Sequence, residues 1–289
     1  MSSKTTPGDA TSGRRPKGDG DLVARVREGF ATLRLSQAAR RFDELLAGPE
    51  PDLSRLEWLW AVLEPQVRAR VEAQIERRIK ESRLPARKTL ADFDFAFQPK
   101  LDRDLILELS TLAFLEQGRN VLLAGWSGTG KSHIAMALAL NACMANKRVR
   151  YTTSADMLST LNESLADQTL VQTLKRYTRP DLLVIDEVGL EQVERPVASR
   201  AGLMQKVLLP RYGESERRST IITSNIDWKA WGDYLGDQLG AAALLDRLLH
   251  HSHVIVIDGP SWRDHEHKKD VAGRNRAAKP DGKKPPKRA

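Results

Sequence analysis

The chain has 289 residues, 40% of them apolar, a formal net charge of +8 and one cysteine. That is enough apolar material for one large domain, or one domain and a smaller module, and too few cysteines for an internal disulfide. No apolar run approaches bilayer length and the polar N-terminus lacks an apolar signal core, so a soluble protein of the reducing cytoplasm, not a membrane protein, is expected.

Residues 1–20 are rich in Gly, Ser, Thr, Pro and Lys without apolar periodicity, which predicts a disordered tail. A helical domain is predicted over 21–88. Its segments "LVARVREGFATL", "LSQAARRFDELLA" and "LSRLEWLWAVLEPQVRARVEAQIERRIKESRL" repeat apolar residues at spacings of three and four. In the last of these, Val67, Val71, Ile75 and Ile79 form a stripe that reads as core packing, and Trp58 and Trp60 read as core anchors. Pro85 ends the helical module, and "KTLADFDFAFQPKLD" reads as an irregular connector.

From 89 to 263 strands alternate with helices. The strands expected are "NVLLAG" (120–125), "VRYTTS" (149–154), "DLLVIDE" (181–187), "STIITSN" (219–225) and "HVIVIDG" (253–259). Several are apolar throughout, as strands covered on both faces are, so an α/β fold with a five-stranded parallel sheet follows. The first strand runs into "GWSGTGKS". Gly125, Gly128 and Gly130 permit a tight turn whose N–H groups converge on phosphate oxygens, with Thr129 and His133 counted in the same nucleotide-binding stretch. Lys131 would reach the β- and γ-phosphates of ATP, and Ser132 would help to hold Mg²⁺. The apolar helix that follows offers the same anion its N-terminal dipole.

The third strand ends in Asp186 and Glu187, carboxylates that are costly at the edge of a buried strand unless something uses them. Asp186 suits Mg²⁺ and Glu187 suits the orientation and deprotonation of an attacking water, the chemistry of a hydrolase. The fourth strand ends in Thr223, Ser224 and Asn225, any of which could bond the γ-phosphate or that water. Arg247 lies in the apolar helical context "AAALLDRLLHHSH" and Arg263 follows the last strand in "GPSWR". An arginine offered to another subunit's phosphate neutralises transition-state charge.

The order of these motifs resembles the AAA+ ATPases of the DnaC and initiator clade, and more closely the IstB-type helper ATPases of bacterial insertion sequences. "FDFAFQPKLD", "GTGKSHIAMAL", "RPDLLVIDEVG", "RRSTIITSN" and "LLDRLLHHSHVIVIDG" are similar to that family's signature stretches, and the resemblance runs over about residues 25–265. It implies Walker A roles for Gly125, Gly130, Lys131 and Ser132 and Walker B roles for Asp186 and Glu187. It also implies sensor roles for Asn225 and Arg263 and an arginine-finger role for Arg247. Trp126, where the family usually has a small residue or proline, and Leu190, where it usually has tyrosine, depart from the pattern. The resemblance further implies ATP-dependent assembly of a homo-oligomer on double-stranded DNA and stimulation of a partner transposase. A helicase loader and a P-loop small-molecule kinase are the alternatives.

The remaining stretch, 264–289, reads as a second disordered tail, too polar for the usual helical lid. From 263 onward there are ten Lys/Arg and four Asp/Glu, and from 67 to 88 there are eight and three, while the rest of the chain is net acidic. Charge so confined suits contact with a polyanion, with the tail, Arg68 to Lys88, and Lys175, Arg176 and Arg179 as candidate DNA contacts. Five histidines crowd residues 250–267 (His250, His251, His253, His265 and His267), but no zinc-type ligand spacing accompanies them.

Overall fold

The computed structural model describes residues 19–49, 52–190, 199–212 and 218–277. The disorder expected of residues 1–18 and 278–289 lies outside them. The chain divides into two compact units, Met1–Gln74 and Ile75–Ala289.

The first unit holds α1 (Asp19–Thr32), α2 (Ser36–Ala47) and most of α3 (Arg55–Ser82). The division falls inside α3, whereas the sequence pattern places it at 88, because the periodicity of a continuous helix does not reveal where its packing partners change. Ala38, Phe42 and Val62 form the small core, with Phe30 and Trp58 edge-on to Phe42 at 5.5 and 5.8 Å. The stripe expectation is corrected in its first half: Val67, Val71 and the anchor Trp60 are about half exposed, while Ile79 packs against a core cluster as expected. Trp58, Val62 and Gln66 instead share the face that meets α2, and Gln66 Oε1 accepts the Gln37 N–H at 3.0 Å. Helical period makes 58, 62 and 66 neighbours, and a polar residue on that line ends the apolar contact.

The second unit opens with the end of α3, the connector, α4 (Arg103–Ser110) and the short α5 (Ala113–Glu116). The sheet strands are β1 (Asn120–Gly125), β2 (Val149–Thr153), β3 (Leu182–Val188), β4 (Ser219–Ser224) and β5 (Ser252–Ile257). All pairings are parallel, in the order β2-β3-β4-β1-β5. The crossovers carry α6 (Lys131–Met144), α7 (Ser154–Ala166), α8 (Leu170–Thr178), α9 (Arg200–Leu208), α10 (Trp231–Leu235) and α11 (Gln238–His250). The sequence places every strand to within about two residues, and this is the α/β P-loop core with a helical region before it that the resemblance implies.

Two clusters cover the two faces. Val121, Leu123, Val184 and Ile221 join Ile134 and Leu138 of α6, while Leu122, Leu183, Ile185 and Ile222 join Met157, Leu161 and Trp231. Period-two alternation within continuous apolar runs thus feeds both layers. Cys143 is buried in the first cluster as a structural thiol. Arg211 is buried and forms no ion pair among the described residues; it donates to the carbonyls of Tyr177, Pro180 and Ser219 and to Thr220 Oγ1, tying the end of α8 to β4.

After β5 the expectation of disorder from 264 is corrected: α12 runs from Trp262 to Ala277. Its start is fixed locally. Ser261 Oγ accepts the Asp264 N–H, the Trp262 N–H bonds Gly128 O at 2.9 Å, and the Trp262 ring stands edge-on to Phe97 at 4.9 Å. A composition too polar for a core can still propagate a helix from a capped, anchored first turn.

Candidate active site

The carboxyl ends of β1, β3 and β4 deliver the site. Between β1 and α6 the chain turns through Gly125, Gly128 and Gly130 at φ 147°, 81° and 101°. A Cβ on Gly125 would stand 2.3 Å from Ile257 O, and one on Gly128 would stand 2.2 Å from Ser261 Oγ. The loop is therefore closed on one side by β5 and the start of α12, and only glycine fits. Helix α6 begins without a side-chain cap, and the N–H groups of Ser127 to Gly130 donate to nothing among the described residues. A turn of unfilled donors on a helix N-terminus is the chemistry a polyphosphate satisfies.

Lys131 is buried, and its Nζ donates to the carbonyls of Gly125 and Trp126 at 2.8 and 2.7 Å. Burial pushes its pKa down to about 8, Asp186 opposes that, and Arg263 adds to it. Such an ammonium gains by meeting anionic charge. Thr129 Oγ1 bonds the Trp126 carbonyl at 2.9 Å, which braces the turn. The Trp126 ring is 74% exposed and does not line the pocket, so this departure leaves the cradle backbone intact. His133 Nε2 lies 2.8 Å from Thr89 O of the connector.

Asp186 is 3% exposed and takes three hydroxyl donors: Tyr151, Thr223 and, at 2.9 Å, Ser132. Burial holds the Tyr151 phenol protonated, so it can only donate to the carboxylate. Ser132 Oγ and Asp186 Oδ1 form the adjacent pair of oxygens that a hard divalent cation takes. Glu187 follows in the left-handed region at φ 62°, where the β3–β4 register shifts. Its N–H donates to Thr223 Oγ1 at 2.9 Å. One threonine hydroxyl therefore holds both the Asp186 carboxylate and the backbone of Glu187. The sequence expectation that Thr223 reaches phosphate or water is corrected, since it is fully buried behind Asp186.

Replacing Thr223 tests that arrangement. Thr223→Val keeps the shape but removes two hydrogen bonds, each worth about 1 kcal/mol. The Mg²⁺ dependence of nucleotide binding should shift about tenfold or more to higher cation, by titration with a fluorescent nucleotide, while Thr223→Ser stays near wild type. A Val variant equal to wild type would show that Asp186 does not depend on Thr223.

Glu187 and Asn225 line one pocket of about 450 Å³ with the loop residues 127–133, Leu190 and Arg263. Sequence reasoning missed its opposite wall: Phe93, Asp94, Phe97, Gln98, Met136, Trp262 and Glu266. The missed signal was the aromatic spacing of "FDFAF", which reads as an irregular connector. Phe93 abuts Gly130, where a Cβ would stand 2.5 Å from its ring, and Gln98 Nε2 bonds Pro260 O at 2.9 Å. The connector is thus fastened over the loop. Arg247 is exposed on α11, outside this pocket, and makes no hydrogen bond or ion pair among the described residues. The clustered histidines form no metal-binding group there: His250 and His251 meet edge-on at 4.4 Å, and His265 lies against Phe97. No helix among the described residues is long and apolar enough to cross a membrane.

The family model described as IstB-like ATP binding protein matches residues 29–270, a span that takes in the whole site. The chain belongs to this IstB-like family. Among its relatives, the ATP-binding protein of insertion sequence IS21 from Pseudomonas aeruginosa is 37% identical, over 83% of this chain and 89% of its own. The corresponding protein of IS232 from Bacillus thuringiensis subsp. berliner is 34% identical, over 81% and 92%. Among solved structures, AMPPCP-bound DnaA from Aquifex aeolicus is 21% identical over 67% of this chain and 57% of its own, with a TM-score of 0.49.

Proposed function

We propose that this IstB-like protein is a cytoplasmic ATPase that assembles as a homo-oligomer on double-stranded DNA and presents that DNA to a partner transposase. One observation carries the enzymatic part: a single pocket joins an anion cradle to a carboxylate, Glu187, and a polar side chain, Asn225. ATP would lie with its phosphates on the N–H groups of the 125–132 turn. Lys131 would exchange its two carbonyl partners for β- and γ-phosphate oxygens. Ser132 and Asp186 would hold Mg²⁺, which would offset phosphate charge. Glu187 accepts the proton of the attacking water and Asn225 orients that water or the γ-phosphate. Arg263 meets phosphate from the α12 side, and Arg247 serves a neighbouring subunit. The net positive charge and the insertion-sequence relatives support DNA and a transposase as partners.

The test is sedimentation with a duplex of about 50 base pairs under ATP, a non-hydrolysable analogue and ADP. Large protein–DNA assemblies are expected with ATP and the analogue, none with ADP, and none when Lys131→Ala is the sole subunit. The assemblies should also retain the partner transposase. Normal ATP binding with no DNA retained in any nucleotide state would overturn the reading.

A further inference from the structure

A second place in the fold gathers positive charge with no counter-charge. β2 is an edge strand of the sheet, and Arg150 projects from it, half-buried. Its guanidinium carbon lies 5.8 Å over the centre of the Tyr177 ring on α8. Its Nε is shielded from water and has no hydrogen-bond partner among the described residues. A shielded, unfilled donor costs about 1–3 kcal/mol. Arg176 precedes Tyr177 in the last turn of α8. From the other side, Arg78 Nε bonds Asn146 Oδ1 at 3.1 Å, which ties the end of α3 to the turn before β2. Arg83 stands just past that helix end, at φ 59°. Burial first, then the charge of Arg83, and later that of Arg176, push the Arg150 pKa down against the pull of Tyr177.

No carboxylate answers these three arginines among the described residues, while their neighbours are answered. Arg148 has Asp181 at 2.7 Å, and Arg77 and Arg78 share Glu81. Packing on Tyr177 alone would need only an apolar stem, and three like charges held together raise the energy of the fold. Guanidinium forks match phosphate oxygens two at a time, and Arg binds them better than Lys because the fork is rigid. Lys175 and Arg179 are exposed on the same helical segment and extend the positive strip, which suits a chain of phosphates better than one small anion.

We propose that Arg83, Arg150 and Arg176 form one binding site for backbone phosphate of duplex DNA, at the β2 edge and distinct from the ATP pocket. The proposal rests on the DNA-binding reading and supplies the contact residues for it. It would position DNA without reading bases, since nothing in it distinguishes one sequence from another.

The experiment uses the full chain with a non-hydrolysable ATP analogue and measures affinity for a labelled duplex over a range of salt. Two variants are compared with wild type: the double variant Arg83→Gln with Arg176→Gln, both exposed so that folding is not at stake, and Arg150→Met. Removing one arginine–phosphate ion pair should flatten the log-affinity against log-salt slope by about 0.9, so a decrease of about one to two is expected for the double variant. Nucleotide affinity without DNA should be unchanged. If wild type binds DNA and the double variant keeps its slope, the site is overturned and the DNA reading stands. If wild type binds no DNA, both fall. Thermal melts with inorganic phosphate at constant ionic strength form a second arm. Stabilisation of wild type alone, with unaltered DNA slopes, would assign the cluster to a free anion and overturn the DNA assignment.

Discussion

Glu187→Gln should bind ATP and assemble on DNA as wild type does, while releasing phosphate about 10²–10⁴ times more slowly. The magnitude follows from what the amide keeps and what it loses. Gln matches Glu in size, so the shape of the pocket wall is kept and the cradle backbone is unaltered, although Lys131 loses the weak pull of the Glu187 charge. The left-handed backbone at 187 costs about the same for either side chain, and its hold, the N–H to Thr223 Oγ1, is a backbone bond that survives the change. The carboxylate charge is lost, and with it the capacity to accept a proton from water. Single-turnover phosphate release separates this from a binding defect, because the substituted protein should fill with ATP and then stall. A wild-type rate would show that another group deprotonates the water and that Glu187 serves only the loop.

This site was unevenly legible in the sequence. The cradle and both carboxylates could be read because the chemistry admits few alternatives: glycines at positive φ, then Lys and Ser, and acids at the end of an apolar strand. The strands could be read because parallel strands buried on both faces leave continuous apolar runs. The aromatic wall beside the cradle could not. Phe93, Phe97 and Trp262 come together through packing between residues far apart in sequence, Phe97 with Trp262 at 4.9 Å, and no local pattern encodes that. The role of Thr223 was misread for a related reason. A hydroxyl at a strand end can face the pocket or the neighbouring strand, and the shift in β3–β4 register turns it to Asp186. The first half of the α3 stripe, Val67 and Val71, failed because helical period gives a face but not the partner that covers it. The C-terminal helix failed because composition measures the capacity to build a core, not the effect of a capped first turn.

Arg247→Ala should bind ATP normally and lose about 10³–10⁵ in turnover, because a finger arginine meets charge that develops only during phosphoryl transfer. Arg247 is exposed, it lies outside the pocket of its own chain, and no acid holds it among the described residues. Leu244 and Leu248 are buried on the core side of the same helix, which leaves the exposed Arg247 on its solvent side. If it enters a neighbour's pocket, isolated subunits are nearly inactive and assembly switches hydrolysis on. Lys131→Ala has the complementary defect, since it keeps its arginine but cannot hold nucleotide. Mixed with DNA and ATP, the two inactive variants should regain part of the wild-type rate, because the Lys131→Ala subunit lends Arg247 to the Arg247→Ala pocket. Sedimentation of the mixture with differently labelled subunits establishes co-assembly. Mixed assemblies that show only the sum of the two residual rates would place Arg247 outside the active site. Recovery on mixing, with no activity in either variant alone, would require a site completed by two chains, since neither variant carries both residues.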